Sequence, residues 1–171
     1  MNLEEAITTA LDYEGKVYRT YREAMERSTD EVGRRVFKTL CDEEKGHLDY
    51  LRQRLDEWRN TGTVTVEELD TALPDIPAIH EGVQRLRERV AGKPTSKIGT
   101  ELEMLRRALQ VETETSAFYQ QMVRSLDADG KRLFERFVEI EEGHKAIVQA
   151  EIDCVSGTGF WFDTKEFDLS G

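Results

Sequence analysis

The sequence is poor in cysteine, proline, basic clusters and long apolar runs, and each shortage excludes a class of protein. Cys41 and Cys154 are the only cysteines and no CxxC is present. There is thus no disulfide framework, and a reducing cytoplasm is the simplest setting. No apolar stretch approaches the roughly 18–20 residues that a bilayer span needs. The opening MNLEEAITTALDYEG lacks the basic n-region and apolar h-region of a secretory signal. Neither a membrane nor a secreted location is expected. Lys and Arg number 24 against 35 Asp and Glu, a formal net charge of −11. An acidic chain without a basic block repels phosphate backbones, so nucleic acid is not an expected partner. Proline occurs three times, at Pro74, Pro77 and Pro94, all in one central stretch. The remainder is 38% hydrophobic and 35% charged in 171 residues, enough for one globular domain with a sizeable core.

Either side of the proline-containing stretch, apolar residues recur at helical spacing. The spacing predicts a first helix from a cap at Asn2, with Glu5 three residues on, to about Ser28. Its apolar face is Leu3, Ala6, Ile7, Ala10, Leu11, Val17, Tyr18, Tyr21 and Met25. Ser28-Thr29-Asp30 reads as a turn and a new N-cap. A second helix follows from Glu31 to about Arg59 on Val36, Phe37, Leu40, Leu48, Leu51 and Leu55. Thr61-Gly62-Thr63 breaks it, Thr65 with Glu68 is placed to cap a short helix, and Ile79–Val90 predicts another between Pro77 and Gly92. Thr95-Ser96 is expected to cap a third long helix to about Leu126, on Leu102, Leu105, Ala108, Leu109, Phe118 and Met122. Asp127-Ala128-Asp129-Gly130 reads as a tight turn. A fourth helix then runs to about Ser156 on Phe134, Phe137, Ile140, Ile147 and Val148, with Gly157 as its stop.

The expected fold is all-α: two helix hairpins joined by one long crossover, about 60–95, into a four-helix bundle over residues 1–157. Residues 158–171 are expected to be a short non-helical tail. Its Phe160, Trp161, Phe162 and Phe167 are too apolar to stay in water, and are expected to dock on the bundle or on a second subunit.

An internal repeat carries the chemistry. A shift of 98 residues lays Ala10-Leu11-x-x-Glu14 on Ala108-Leu109-x-x-Glu112, and Tyr21 on Tyr119. A shift of 97 lays Phe37 on Phe134, Glu44 on Glu141, Gly46 on Gly143 and His47 on His144. Each half therefore has one Glu on its first helix and a Glu-x-x-His on its second. Residues three apart on a helix share a face, so Glu44 with His47, and Glu141 with His144, each offer an oxygen and a nitrogen to one point. Glu14 and Glu112 lie in apolar stripes, where a lone carboxylate is expensive to bury. Four carboxylates and two imidazoles converging in a core make sense with two divalent cations between them. An oxygen-rich set with open positions suits iron or manganese better than tetrahedral zinc. One Glu from each of two helices and Glu-x-x-His from each of the others is the arrangement of the ferritin-like carboxylate proteins.

With 23 Glu in 171 residues, a Glu three before a given His arises by chance about 13% of the time. His80, with Pro77 at that place, lacks it. The weight comes from the joint recurrence: the stripe Glu, the Tyr seven residues on, and the matched spacing. Tyr21 and Tyr119 share a face with Glu14 and Glu112. They read either as donors to ligating carboxylates of a neighbouring helix or as core aromatics with a polar tip. Glu43 and Glu142 are expected to be surface acids and His80 a surface residue. Cys41 reads as core filler or an oxidant sensor one turn before Glu44, and Cys154 as filler.

The stretches Ala10-Leu-Asp-Tyr-Glu14…Tyr21, Phe37-Lys-Thr-Leu-Cys-Asp-Glu-Glu-Lys-Gly-His47, Glu112…Phe118-Tyr119 and Phe134…Glu141-Glu-Gly-His144 resemble the rubrerythrin branch of the ferritin-like superfamily. The resemblance spans roughly residues 3–156, and the ending Gly159-Phe-Trp-Phe-Asp…Glu-Phe-Asp is similar to the tails of small rubrerythrin-like proteins. It implies a ferritin-like bundle in which Glu14, Glu44, His47, Glu112, Glu141 and His144 hold two iron ions, or manganese, with Glu44 and Glu141 bridging. It also implies reaction with hydrogen peroxide or O2 in oxidative-stress defence, an external electron donor such as a rubredoxin-like protein or flavoprotein, and a homodimer. Iron storage or delivery without turnover is the alternative. The chain departs from rubrerythrins proper in two ways. It has no four-cysteine rubredoxin module, and Thr115 stands where they place an extra carboxylate one turn after the third-helix ligand.

Overall fold

The computed structural model describes residues 1–66, 69–89 and 98–162. Among these the chain is all-helical, with no strand: α1 (Leu3–Arg27), α2 (Glu31–Thr61), α3 (Ile76–Arg89), α4 (Ile98–Ser125) and α5 (Ala128–Thr158). The arrangement is a helical bundle. α1 packs chiefly on α2 and α4 chiefly on α5, with α1 also against α4 and α3 against α5.

The ends of the helices follow from local chemistry. Asn2 Oδ1 accepts from the Glu5 N–H and Glu5 Oε2 accepts from the Asn2 N–H, so α1 opens on a capping box. Asp30 caps α2 by accepting from the Gly33 N–H. α3 begins at Ile76, three residues before the expected Ile79, because Asp75 Oδ1 accepts from the Ala78 N–H. Pro77 then falls in the first turn, where its missing N–H costs nothing. Asp127-Ala128-Asp129-Gly130 is not a free-standing turn. Asp127 accepts from the Gly130 N–H and caps α5, so only Leu126 and Asp127 separate α4 from α5.

Gly157, the expected stop of α5, lies inside the helix. The chain turns two residues later, at Gly159, whose φ of 76° is left-handed and whose N–H bonds to Val155 O. A glycine in the last turn costs about 1 kcal/mol relative to alanine, and the buried Cys154 and Val155 carry the helix past it. Thr65 and Val66 are not helical, and residues 67–68 lie outside the described residues. The Thr65 N–H and hydroxyl bond to Glu57 Oε1, and its carbonyl accepts from Arg54. Glu68, Val90, Gly92, Pro94, Thr95 and Ser96, which enter other expected helix ends, lie outside the described residues.

The apolar core is divided in two. One cluster holds Val17, Tyr21, Phe37, Leu40, Leu105, Ala108 and Ile147, with Val148 and Val155. The other holds Leu3, Ile7, Leu51, Leu55, Tyr119, Phe134 and Phe137. Each long helix passes from one cluster to the other, and the crossing point carries the charged residues. On α1 it is Glu14, on α2 Glu44 and His47, on α4 Glu112, and on α5 Glu141 and His144. The start of α1 and the end of α2 share a cluster with the end of α4 and the start of α5, which gives each helix its direction.

Beyond α5, Trp161 and Phe162 are buried against the first cluster, with Trp161 edge-on to Phe37 at 5.2 Å between ring centroids. Gly33 makes room for it, since a Cβ there would meet the indole at 2.6 Å. Phe160 does not dock on the bundle and is 44% exposed in the single chain. Phe167 lies outside the described residues.

Candidate metal centre

Glu14, Glu44, His47, Glu112, Glu141 and His144 are all buried and meet in the layer between the two clusters. His47 Nδ1 lies 3.3 Å from Glu14 Oε2, 3.3 Å from Glu44 Oε2 and 3.6 Å from Glu141 Oε1. His144 Nδ1 lies 2.7 Å from Glu44 Oε1 and 3.4 Å from Glu112 Oε1. Tyr21 on α1 donates its hydroxyl to Glu112 on α4, and Tyr119 on α4 donates to Glu14 on α1. Both tyrosines are fully buried. Of the two readings open for them, the hydroxyls take the first, as donors to carboxylates across the bundle, while their rings still serve the core.

The donors fall into two overlapping groups. Glu14, Glu44, His47 and Glu141 offer atoms within 4.8 Å of one another, and so do Glu44, Glu112, Glu141 and His144. Glu44 and Glu141 belong to both. Several of these atoms are buried with no hydrogen bond: both oxygens of Glu44, both of Glu141, Glu112 Oε2 and His144 Nδ1. Although His144 Nδ1 is close to Glu44 Oε1, the two are not aligned for a bond. Buried polar atoms are nearly always satisfied. Six stranded atoms around one point, five of them carboxylate oxygens, fit a cation site.

The Rubrerythrin family model matches residues 1–55, which carry Glu14, Glu44 and His47. Over those residues the chain is similar to that family. Comparison with curated proteins and with solved structures gives no match. The matched residues hold one half of the repeat, and the geometry joins Glu112, Glu141 and His144 to it.

Electrostatics describe the same site. Burial pushes the Glu44 carboxyl up, and the charge of Glu14 adds to it. Burial likewise raises Glu141 well above the usual range, helped by Glu112 and Glu14. Burial also works against Glu14 and Glu112 as anions, yet His47 beside Glu14, and Glu141 and His144 beside Glu112, hold both low. Both imidazoles are drawn toward their charged form by Glu44 and its neighbours, against burial. The two shared carboxylates thus bear the shortage of positive charge, which divalent cations would supply.

Glu43 is not a surface acid: its side chain is 9% exposed. It accepts from the Thr71 hydroxyl and the Ala72 N–H and faces His144 Nε2. Nothing in helical periodicity marks it, because its partners lie on another helix and on the crossover. The one sequence signal is that the repeat places Ile140, not an acid, at its counterpart. Glu142, 41% exposed and paired with Lys145, and the exposed His80 are at the surface as expected. Cys41 and Cys154 are buried free thiols, and burial pushes both up, Cys154 to about 12. A reactive sensor needs a low pKa and exposure, so Cys41 reads as filler. A cavity of about 340 Å³, bordered by Leu73, Pro74, Pro77, Ile140 and Gly143, has the buried His144 in its wall. No helix among the described residues is long and apolar enough to cross a membrane.

Proposed function

We propose that this chain is a ferritin-like di-iron carboxylate protein that reduces hydrogen peroxide or O2, built as two helix hairpins with one long crossover. The observation that carries the reading is that Glu44 and Glu141 each belong to both four-residue donor groups, as residues bridging two ions must. Two iron ions held there would supply one electron each to hydrogen peroxide, which takes up two protons and leaves as two waters. Glu14 and His47 would complete one position and Glu112 and His144 the other. Tyr21 and Tyr119 fix Glu112 and Glu14 through their hydroxyls. The apolar clusters on both sides keep bulk water from the layer, and the cavity beside His144 admits a small oxidant. An external donor, a rubredoxin-like protein or flavoprotein, would return the electrons. A cytoplasmic homodimer completes the proposal.

Thr115 favours a second reading. It is buried, and its hydroxyl is turned onto Val111 O at 2.8 Å. No carboxylate therefore stands one turn after Glu112 to support rubrerythrin-style cycling. A protein that stores or delivers iron without turnover accords with that.

Metal analysis of protein made in iron-replete cells, followed by reaction of the reduced form with peroxide or O2, tests both. Two irons per chain and repeated peroxide consumption with added reductant support the enzyme. A single oxidation followed by metal release supports the carrier. Unchanged metal content in Glu44→Ala would remove the basis of either.

A further inference from the structure

The internal repeat breaks at Glu43, and the break falls beside the metal site. Under the shift that lays Glu44 on Glu141 and His47 on His144, Glu43 falls on Ile140. Only one half of the molecule therefore places a carboxylate here. Glu43 Oε2 lies 3.5 Å from Nε2 of His144, the nitrogen on the far side of the ring from the Nδ1 that faces Glu44 and Glu112. Among the described residues His47 has no such partner, and its Nε2 is buried without a hydrogen bond. Its ring instead meets Phe137 edge-on, centroids 5.5 Å apart.

Glu43 is itself held. Thr71 donates its hydroxyl to Oε2 at 2.7 Å, and the Ala72 N–H donates to Oε1 at 2.7 Å. Both donors come from the crossover, outside the four long helices. Glu43, His47 and His144 do offer atoms within 4.8 Å of one another. With both its oxygens engaged by the crossover, however, Glu43 is oriented to act through His144 rather than to ligate.

We propose that Glu43 is a positioning residue for His144 that makes the two metal positions unequal, the Glu112–His144 position being held more tightly than the Glu14–His47 position. The inference rests on the metal reading above. A ligating histidine that gives its second N–H to a carboxylate is fixed in tautomer and orientation and is the better donor; loss of such a partner costs about 10–100-fold in metal affinity. The crossover thereby sets the affinity of one ion without touching it.

Anaerobic titration of the metal-free full chain with Co(II), followed by visible absorption and calorimetry, tests the proposal. The wild type should take two ions in two unequal steps. Glu43→Ala should weaken the tighter step about 10–100-fold and spare the other. Glu43→Gln, which keeps an acceptor oxygen, should fall between. His144→Ala should weaken the same step, and adding Glu43→Ala to it should weaken that step no further. Equal steps in the wild type, equal losses on both steps in Glu43→Ala, or additive losses in the double variant would overturn the proposal. So would a third Co(II) that disappears with Glu43→Ala, since Glu43 would then be a ligand. Should Glu43→Ala not fold, Thr71→Val removes one tether and should weaken the same step by less; no change there overturns the idea. A wild type that binds no Co(II) would instead sink the metal reading itself, which is a different result from two ions bound with Glu43→Ala unaltered.

Discussion

The imidazoles of His47 and His144 lie face to face, with ring centroids 5.2 Å apart and planes 13° from parallel. Each turns Nδ1 toward carboxylates. Without cations, the layer can balance its charge only by proton uptake, which puts like charges on stacked rings and neutralises Glu44 and Glu141 in place. Metal removal should therefore destabilise the fold. An ion present at 100 times its Kd stabilises by about 2.7 kcal/mol per site, about 5–10 °C in melting temperature for a domain of this size. Calorimetry of chelator-treated and reloaded protein measures the difference, and identical melting would contradict a metal site here.

Tyr21→Phe and Tyr119→Phe each leave a buried carboxylate, Glu112 and Glu14 respectively, short of its hydroxyl donor. Each should cost about 1–3 kcal/mol in the metal-free protein. Urea unfolding should give similar losses for the two, because the repeat places them equivalently. A neutral result for either would show that the hydroxyl is not needed to hold its carboxylate.

Two glycines of α2 should respond oppositely to alanine. At Gly33 the new Cβ meets Trp161 at 2.6 Å, so Gly33→Ala should lose about 1–3 kcal/mol and shift tryptophan emission to the red. At Gly46 nothing lies within 4 Å, and Gly46→Ala should gain about 0.5–1 kcal/mol from helix propensity. Chemical denaturation with fluorescence detection reads both at once.

The thiols of Cys41 and Cys154 should be slow to react with a disulfide reagent at pH 8. Burial raises both above the usual thiol range, Cys154 to about 12, so both are held toward the protonated form at that pH. Both should react at once in denaturant. Fast reaction of one thiol in the native protein would return Cys41 to consideration as a sensor.

The site residues that the structure gathers were legible because ligand chemistry recurs at helical spacing in both halves, and because a lone Glu14 or Glu112 in an apolar stripe demands a reason. The caps at Asn2 and Asp30 were legible from chemistry within one turn. Glu43 was not, since its meaning depends on His144, 101 residues away, and on Thr71 in the crossover. The end of α5 is not legible in the sequence, because Gly157 and Gly159 are equally able to stop a helix and only packing chooses between them. No periodicity links Trp161, beyond the end of α5, to the bare backbone of Gly33 on α2.

The two tyrosine hydroxyls cross between halves: Tyr21 serves Glu112 and Tyr119 serves Glu14. A lone hairpin would therefore carry a donor and an acceptor that cannot reach each other. It could make the same pair of contacts only with a second copy of itself about a two-fold axis, each copy completing its mate. In sequence the present chain reads as such a pair joined by the crossover, and Glu43 against Ile140 is a point at which the two halves differ.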